Sequence, residues 1–386
     1  MFRIRTNALN ITLTLLGILT ICLGYYGALT SSGDMMWYPS KLYWSGKNPY
    51  VEFLYRGQHN WFKSSVPNYS HLMYVILGPL AKLDWGQAKV AWFFLNVLAL
   101  LKISFLSFRN PKYSYYNKVL MILLLLGNPI ITTFNVGQIS IIMTLFLMLA
   151  WEFKDNKIIL IVVCSLIYVK YSIGLPVLFG FFLAGYYFES IAAIFINIIF
   201  SFIYAMQFNI SFEKSFLHPF HVAKQNLTIV LGDYDFMSFL YSYLGTDNQN
   251  TTIIYVLFLL LIYVIFTALV IIKKPRQESI ISSSIFLSIG CFFHLSYDSM
   301  ILFVAIFIIT SSTKKSKKNT YLPVITTVVI WWTGMLLRLT NHLQIIEGTH
   351  IYGFSDLPYG VFLQLLYSSL IITTSFFILN HNDSKA

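Results

Sequence analysis

Long apolar runs broken by short charged clusters dominate the chain. Twelve of them read as helices, at roughly 8–29, 87–108, 118–133, 138–151, 158–170, 173–187, 190–207, 251–272, 279–294, 299–311, 321–337 and 358–379. Several fall short of the ~20 residues that cross a bilayer. Such pieces read as broken or half-inserted helices, tolerated where protein or a watery cavity satisfies the backbone, and a site is expected among them. Three polar stretches, roughly 30–86, 208–250 and 338–357, are too long for turns, and long loops in a compact protein tend to carry function. In the first, Met36, Trp37, Leu42, Tyr43 and Trp44 mix aromatic and aliphatic groups as a helix lying in the headgroup layer does.

Composition turns this pattern into a class. Of 386 residues, 57% are hydrophobic and 11% charged, with a mean hydropathy of +0.69. A soluble domain carries about 25% charged residues, so an ordinary water-soluble globule is excluded. The expectation is an all-α polytopic membrane protein of about 12 transmembrane helices, a single domain over 1–386 with no soluble domain appended. The formal charge of +11 suggests an anionic partner until it is sorted by side. With the N-terminus inside, 16 of the 26 basic residues and 5 of the 15 acidic ones fall on the inner segments, which accounts for the whole excess. Lys-Lys-Pro-Arg at 273–276 and Lys-Lys-Ser-Lys-Lys at 314–318 are the strongest of these orientation signals. The charge therefore implies cytoplasmic termini in a plasma membrane and no nucleic acid. Cys22, Cys164 and Cys291 sit in apolar runs without paired spacing, so neither a disulfide framework nor a metal site is indicated. The first apolar run is too long, and lacks a small-x-small site, to read as a cleaved signal; it reads as a retained helix.

The candidate chemistry lies on the outer side. Asp34 follows the first helix, where it can cap the next one or hold a partly desolvated carboxylate that accepts a proton. Asn135-Val136-Gly137-Gln138 is a tight turn between apolar helices, whose Gln138 either satisfies backbone groups or meets a ligand. Lys170 is a lone cation between short apolar runs, able to snorkel or to bind an anion. His294 and Asp298 stand four residues apart, on one face of a continuing helix or within a turn. Arg338 lies near the outer end of the eleventh run, as an interfacial anchor or an anion contact. Asp233-Tyr234-Asp235 has the spacing of a metal-binding pair, but two carboxylates do not define a site.

In this order, the residues resemble glycosyltransferase family 87. The resemblance rests on Asp34 after the first helix, Gly46-Lys47-Asn48-Pro49-Tyr50, Pro67-Asn68-Tyr69 leading to Gly78-Pro79-Leu80, Gly137-Gln138, Lys170 followed by Pro176, and the step from His294 to Asp298. It covers roughly residues 8–310, and departs from the family at Val66-Pro67-Asn68-Tyr69, where many members have Tyr-Pro-Pro. The resemblance implies the C-type membrane glycosyltransferase fold. It also implies an inverting transfer of a hexose, mannose foremost and glucose second, from a polyprenyl-phosphate donor on the extracytoplasmic face to a lipid-linked or surface glycan acceptor. No cofactor is implied. Asp34 matches the catalytic carboxylate and His294 the polar residue facing it. The donor's phosphate and sugar fall to His294, Lys170, Arg338, Asp298, Gln138 and Tyr69, and Trp37, Tyr38, Tyr69 and Tyr297 are able to stack on sugar rings.

Three other classes compete. A transporter or flippase also uses an outer cavity, but no inverted repeat is visible. A polysaccharide polymerase or ligase favours a large outer loop rich in Arg and His between late helices, whereas here the longest polar stretch follows the first helix. A non-enzymatic scaffold does not explain titratable groups collected on one side.

Overall fold

A computed structural model describes residues 2–31, 35–56, 65–109, 114–227, 235–244, 249–292, 294–312, 321–332 and 360–381. All regular structure among them is helical. In chain order the helices are α1 (Phe2–Thr30), α2 (Trp37–Trp44), α3 (Pro49–Arg56), α4 (Leu72–Ile76), α5 (Gly78–Ala81), α6 (Trp85–Phe108), α7 (Ser114–Leu126), α8 (Asn128–Val136), α9 (Ser140–Glu152) and α10 (Lys157–Tyr168). They continue with α11 (Tyr171–Leu183), α12 (Tyr187–Gln207), α13 (Phe212–Leu227), α14 (Phe236–Leu244), α15 (Gln249–Lys273), α16 (Gln277–Cys291), a 3-10 turn (Ser296–Ile301), α17 (Leu302–Ser312), α18 (Tyr321–Trp332) and α19 (Gly360–His381).

Among the described residues, five helices are long and apolar enough to cross a membrane: α1, α6, α12, α15 and α19. Helices α7 and α8 make a sixth span if the pair counts as one, bent by 52° where Gly127 and Pro129 interrupt the ladder. The expected number of about 12 transmembrane helices is not reached among the described residues, and the several runs expected to fall short of a full span do so. The remaining apolar runs form helices too short to cross alone, namely α9, α10, α11, α17 and α18, to which α16 adds 15 residues. They are stable because they are inside the protein. Every residue of α16 from Ser279 to Cys291 is buried, and its serines bond neighbouring helices, Ser282 Oγ to the Ala305 carbonyl and Ser283 Oγ to that of Ser375.

The first polar stretch folds into α2–α5. Of the residues expected in the headgroup layer, Met36, Trp37, Leu42 and Tyr43 are instead buried against protein, and Trp44 is exposed. Met35, Met36 and Trp37 pack with Tyr69, Trp92, Ile139 and Val169. Leu42, Tyr43 and Tyr50 pack with Tyr74, Tyr204 and Val222.

Hydrogen bonds show where the short helices end relative to the long ones. At one end of the bundle Arg109, after α6, pairs with Glu152 at the end of α9 (2.6 Å), and Gln277 Nε2 donates to the Ala184 carbonyl after α11 (2.9 Å). From that common level α9 rises 13 residues, about 20 Å, while the 24 residues of α6 rise about 36 Å. Consistently, Trp92, well inside α6, donates Nε1 to the Gly137 carbonyl in the turn before α9 (2.8 Å). Tyr255, inside α15, donates its hydroxyl to the Cys291 carbonyl at the end of α16 (3.0 Å). The tips of α9, α10, α11, α16 and α17 thus form a floor about 10 Å below the ends of the long helices, beneath α2–α5 and α13.

Candidate active site

Chain breaks place the functional groups on this floor. Helix α8 ends at Gly137, whose φ of +77° is a left-handed cap that side-chain-bearing residues adopt reluctantly, and α9 starts three residues later at Ser140. Between α10 and α11 the backbone at Lys170 leaves the helical region (φ −102°, ψ 88°). Gly174 permits that reversal: a Cβ there would lie 2.4 Å from the Tyr168 Cα. Helix α16 stops where Phe292 becomes extended, and the chain resumes as the 3-10 turn, so His294 and Asp298 meet across a turn rather than along a helix.

The centre is the Asp298 carboxylate, 2% exposed. Lys170 Nζ donates to both its oxygens, each at 2.6 Å. Ser140 Oγ donates to Oδ1 at 2.7 Å, and His294 Nδ1 lies 3.0 Å from Oδ2. Four contacts occupy the acceptor positions a carboxylate offers. Asp298 is therefore an organiser of its neighbours and not a free base. Lys170 also sits over the rings of Tyr69 (5.8 Å) and Tyr297 (5.3 Å), whose faces favour a cation. Tyr69 is fixed in turn: its hydroxyl donates to Gln138 Oε1 (2.8 Å) and its carbonyl accepts from the Tyr50 hydroxyl (2.7 Å). The Ser70 amide holds the Val169 carbonyl, next to Lys170, at 3.0 Å.

His294 is held twice. Its backbone amide donates to Asp235 Oδ2 (3.2 Å), and with Nδ1 protonated toward Asp298 its Nε2 carries a lone pair. That Nε2 is buried without a hydrogen-bond partner. An ammonium has three N–H groups, and two of those on Lys170 point at Asp298. The floor thus offers one N–H for an anion and one ring nitrogen for a hydroxyl.

Of the sequence-derived candidates, Lys170, His294 and Asp298 are in direct contact, Tyr69 joins them through its ring, and Gln138 through Tyr69. Asp34 and Arg338 lie outside the described residues. Asp235, read as half of a possible metal pair, caps α14, taking the Ser238 amide on Oδ1 (2.7 Å) and its hydroxyl on Oδ2 (2.9 Å); Asp233 lies outside the described residues. Sequence reasoning missed Ser140 and the Asp235–His294 bond. Ser140 opens the helix after the Gly137-Gln138 turn, which was its one available signal. A surface hollow lined by Glu152, Asp155 and Lys157 lies at the opposite end of α9 from this cluster.

Among comparisons with known proteins, a model described as glycosyltransferase family 87 matches residues 69–296, more than half of the chain, from Tyr69 through Gln138 and Lys170 to just past His294. No curated protein matches, and no solved structure matches.

Proposed function

The chain belongs to glycosyltransferase family 87 and is a multi-pass membrane glycosyltransferase; on that premise we propose that it moves a hexose, mannose foremost, from a polyprenyl-phosphate donor to a lipid-linked or surface glycan acceptor on the extracytoplasmic face, with inversion. The observation that supports this reading most is the floor of short helices, where Lys170 and His294 meet around Asp298, at the end of the bundle opposite Arg109, Lys154 and Lys157.

In the proposed reaction an acceptor hydroxyl attacks the anomeric carbon. The new C–O bond forms as the bond from that carbon to the phosphate oxygen breaks, and the electron pair leaves with the phosphate. Asp34 takes the hydroxyl proton as general base. A phosphate leaving group needs stabilisation of its charge and no general acid, and a pre-positioned ammonium stabilises developing charge without reorganising. Lys170 supplies it here, with Arg338 as a second cation. Met35, which follows Asp34 in the chain, is 1% exposed and packs in the cluster that holds Tyr69, Ile139 and Val169, so Met35 itself lies beside the residues that flank Gln138 and Lys170. With the inner loops basic, this end faces outward, and the donor's isoprenoid chain lies in the lipid beside the bundle.

The test uses membranes containing the protein, short polyprenyl-phosphate hexoses of several sugars, and a labelled glycolipid as readout. Wild type is expected to consume one of them, and Asp34→Asn, which keeps the shape and removes the base, to abolish transfer. Full transfer by Asp34→Asn would remove the general-base assignment. No consumption of any such donor would sink the reading of the donor class.

A further inference from the structure

We propose that Asp298 is a positioning residue that sets Lys170 and His294 together, so that the donor phosphate and a substrate hydroxyl are received as one coupled unit. The inference rests on the function proposed above and adds a division of labour that the sequence does not contain.

Three observations carry it. First, the carboxylate is saturated and buried: Lys170 on both oxygens, Ser140 on Oδ1 and His294 on Oδ2, all within 3.0 Å. It has no lone pair aimed at a substrate, so it acts through its neighbours. Second, its contacts come from three separate chain breaks, the turn before α9 (Ser140), the α10–α11 break (Lys170) and the α16–α17 connection (His294). No other described side chain bonds to all three. Third, Nε2 of His294 is completely buried and makes no hydrogen bond of ordinary geometry, although the Ser288 backbone carbonyl lies near the ring. A buried polar atom without a partner costs free energy, and a neutral imidazole that donates through Nδ1 accepts through Nε2. The group that fits is a hydroxyl, and a sugar is the hydroxyl-bearing part of this substrate. Asp298 fixes this tautomer, because its charge requires the ring proton on Nδ1.

The remaining N–H of Lys170 and the lone pair of His294 therefore have their directions set by one carboxylate. A phosphate that takes up the first and a hydroxyl that takes up the second are aligned through a shared anchor. Asp235 reinforces this by holding the His294 backbone.

The experiment measures kcat and KM for a short-chain polyprenyl-phosphate hexose with purified wild type, Asp298→Asn, His294→Ala, the double variant and Asp298→Glu. Each is first checked for a monodisperse folded peak and a thermal transition. Outer partners of a binding group typically contribute about 10- to 100-fold, and a loss of that order in kcat is expected for Asp298→Asn. The double variant is expected to lose no more than about 3-fold beyond the worse single one, since both changes disable the same unit. Asp298→Glu keeps the counter-charge for Lys170, and with it the fold, but moves both oxygens by a methylene. It is expected to remain at least about 10-fold below wild type. A double variant whose loss is the product of the two single losses overturns the proposal. So does wild-type kcat in Asp298→Glu, which would mean that only charge is needed. If wild type transfers no hexose from any such donor, the donor reading itself has failed and this inference falls with it; an active wild type with independent losses sinks the inference alone.

Discussion

Replacing Lys170 by Met isolates the energetics of the buried pair. Its nitrogen lies 2.6 Å from Asp298 Oδ1, with the two side chains 13% and 2% exposed. At an effective dielectric of about 20, Coulomb's law puts the attraction at about 6 kcal/mol. The cost of taking both ions out of water offsets most of that while the pair is intact. When Lys170 is removed, the attraction goes and the desolvation of Asp298 stays. Breaking a buried pair this way costs about 3–5 kcal/mol. The lower end is expected here, because Ser140 and His294 still bond the carboxylate. Thermal unfolding in detergent should therefore fall by on the order of 3–5 °C, the shift that about 3 kcal/mol makes in a chain of 386 residues. Adding Asp298→Leu to Lys170→Met removes the stranded charge and should recover most of the loss, since apolar replacements of buried pairs are commonly neutral or stabilising. A Lys170→Met midpoint within about 1 °C of wild type would refute the reasoning, as would a double variant no more stable than the single one.

Other variants probe the supports of the floor. Gly174→Ala should cost about 3 kcal/mol or prevent accumulation of folded protein, because the new Cβ would sit 2.4 Å from the Tyr168 Cα and 2.8 Å from the Ile167 carbonyl oxygen, neither of which is free to move; yield of a monodisperse species checks this. Asp235→Ala removes the α14 cap, worth about 1 kcal/mol, and strands the His294 amide at about 1–3 kcal/mol more, so both stability and transfer should fall, and unchanged transfer would show that the amide bond does not position the ring. His71, just before α4, touches Ser201 and Ser215; burial, and then His218, lower its pKa to about 3. The unfolded chain, near 6.5, binds the proton more readily, so the native state is fully favoured above about pH 6.5 and loses about 1.4 kcal/mol per unit as pH falls toward 3. His71→Gln should flatten thermal stability across pH 4.5–6.5, and an unchanged slope would assign the acid sensitivity to other groups.

Helix positions were legible because apolar runs and charged ends mark them directly. The runs 158–170 and 173–187 correspond to α10 and α11, and the charged residues Arg109, Glu152, Lys154 and Lys157 gather at one end as the sorting by side requires. Whether a run crosses the membrane was not legible. Composition alone does not separate a span from a buried half-helix: α11 is as apolar as a span, but it has 13 residues and packs against α10, α12 and α16. The aromatic residues of α2 were misjudged for a related reason, since a ring facing headgroups and a ring facing protein have the same sequence signature. Trp37 lies at such an inner contact, with Nε1 donating to the Leu80 carbonyl.

The site was legible as a set of residues and not as a circuit. An isolated charge in an apolar run stands out, which singled out Lys170 and Asp298, 128 residues apart in the chain. Nothing in the spacing says that they pair, or that Ser140 completes the carboxylate, because a serine opening an apolar helix is ordinary. The pairing has a chemical consequence for charge. With Asp298 neutralising Lys170, the pair carries no net charge, so the anionic donor proposed above is held by a directed N–H more than by a bare cation. In the proposed reaction such a site gains little on binding a singly charged phosphodiester and more as the leaving phosphate develops its second charge, which is the condition for accelerating the chemical step rather than only tightening the ground state.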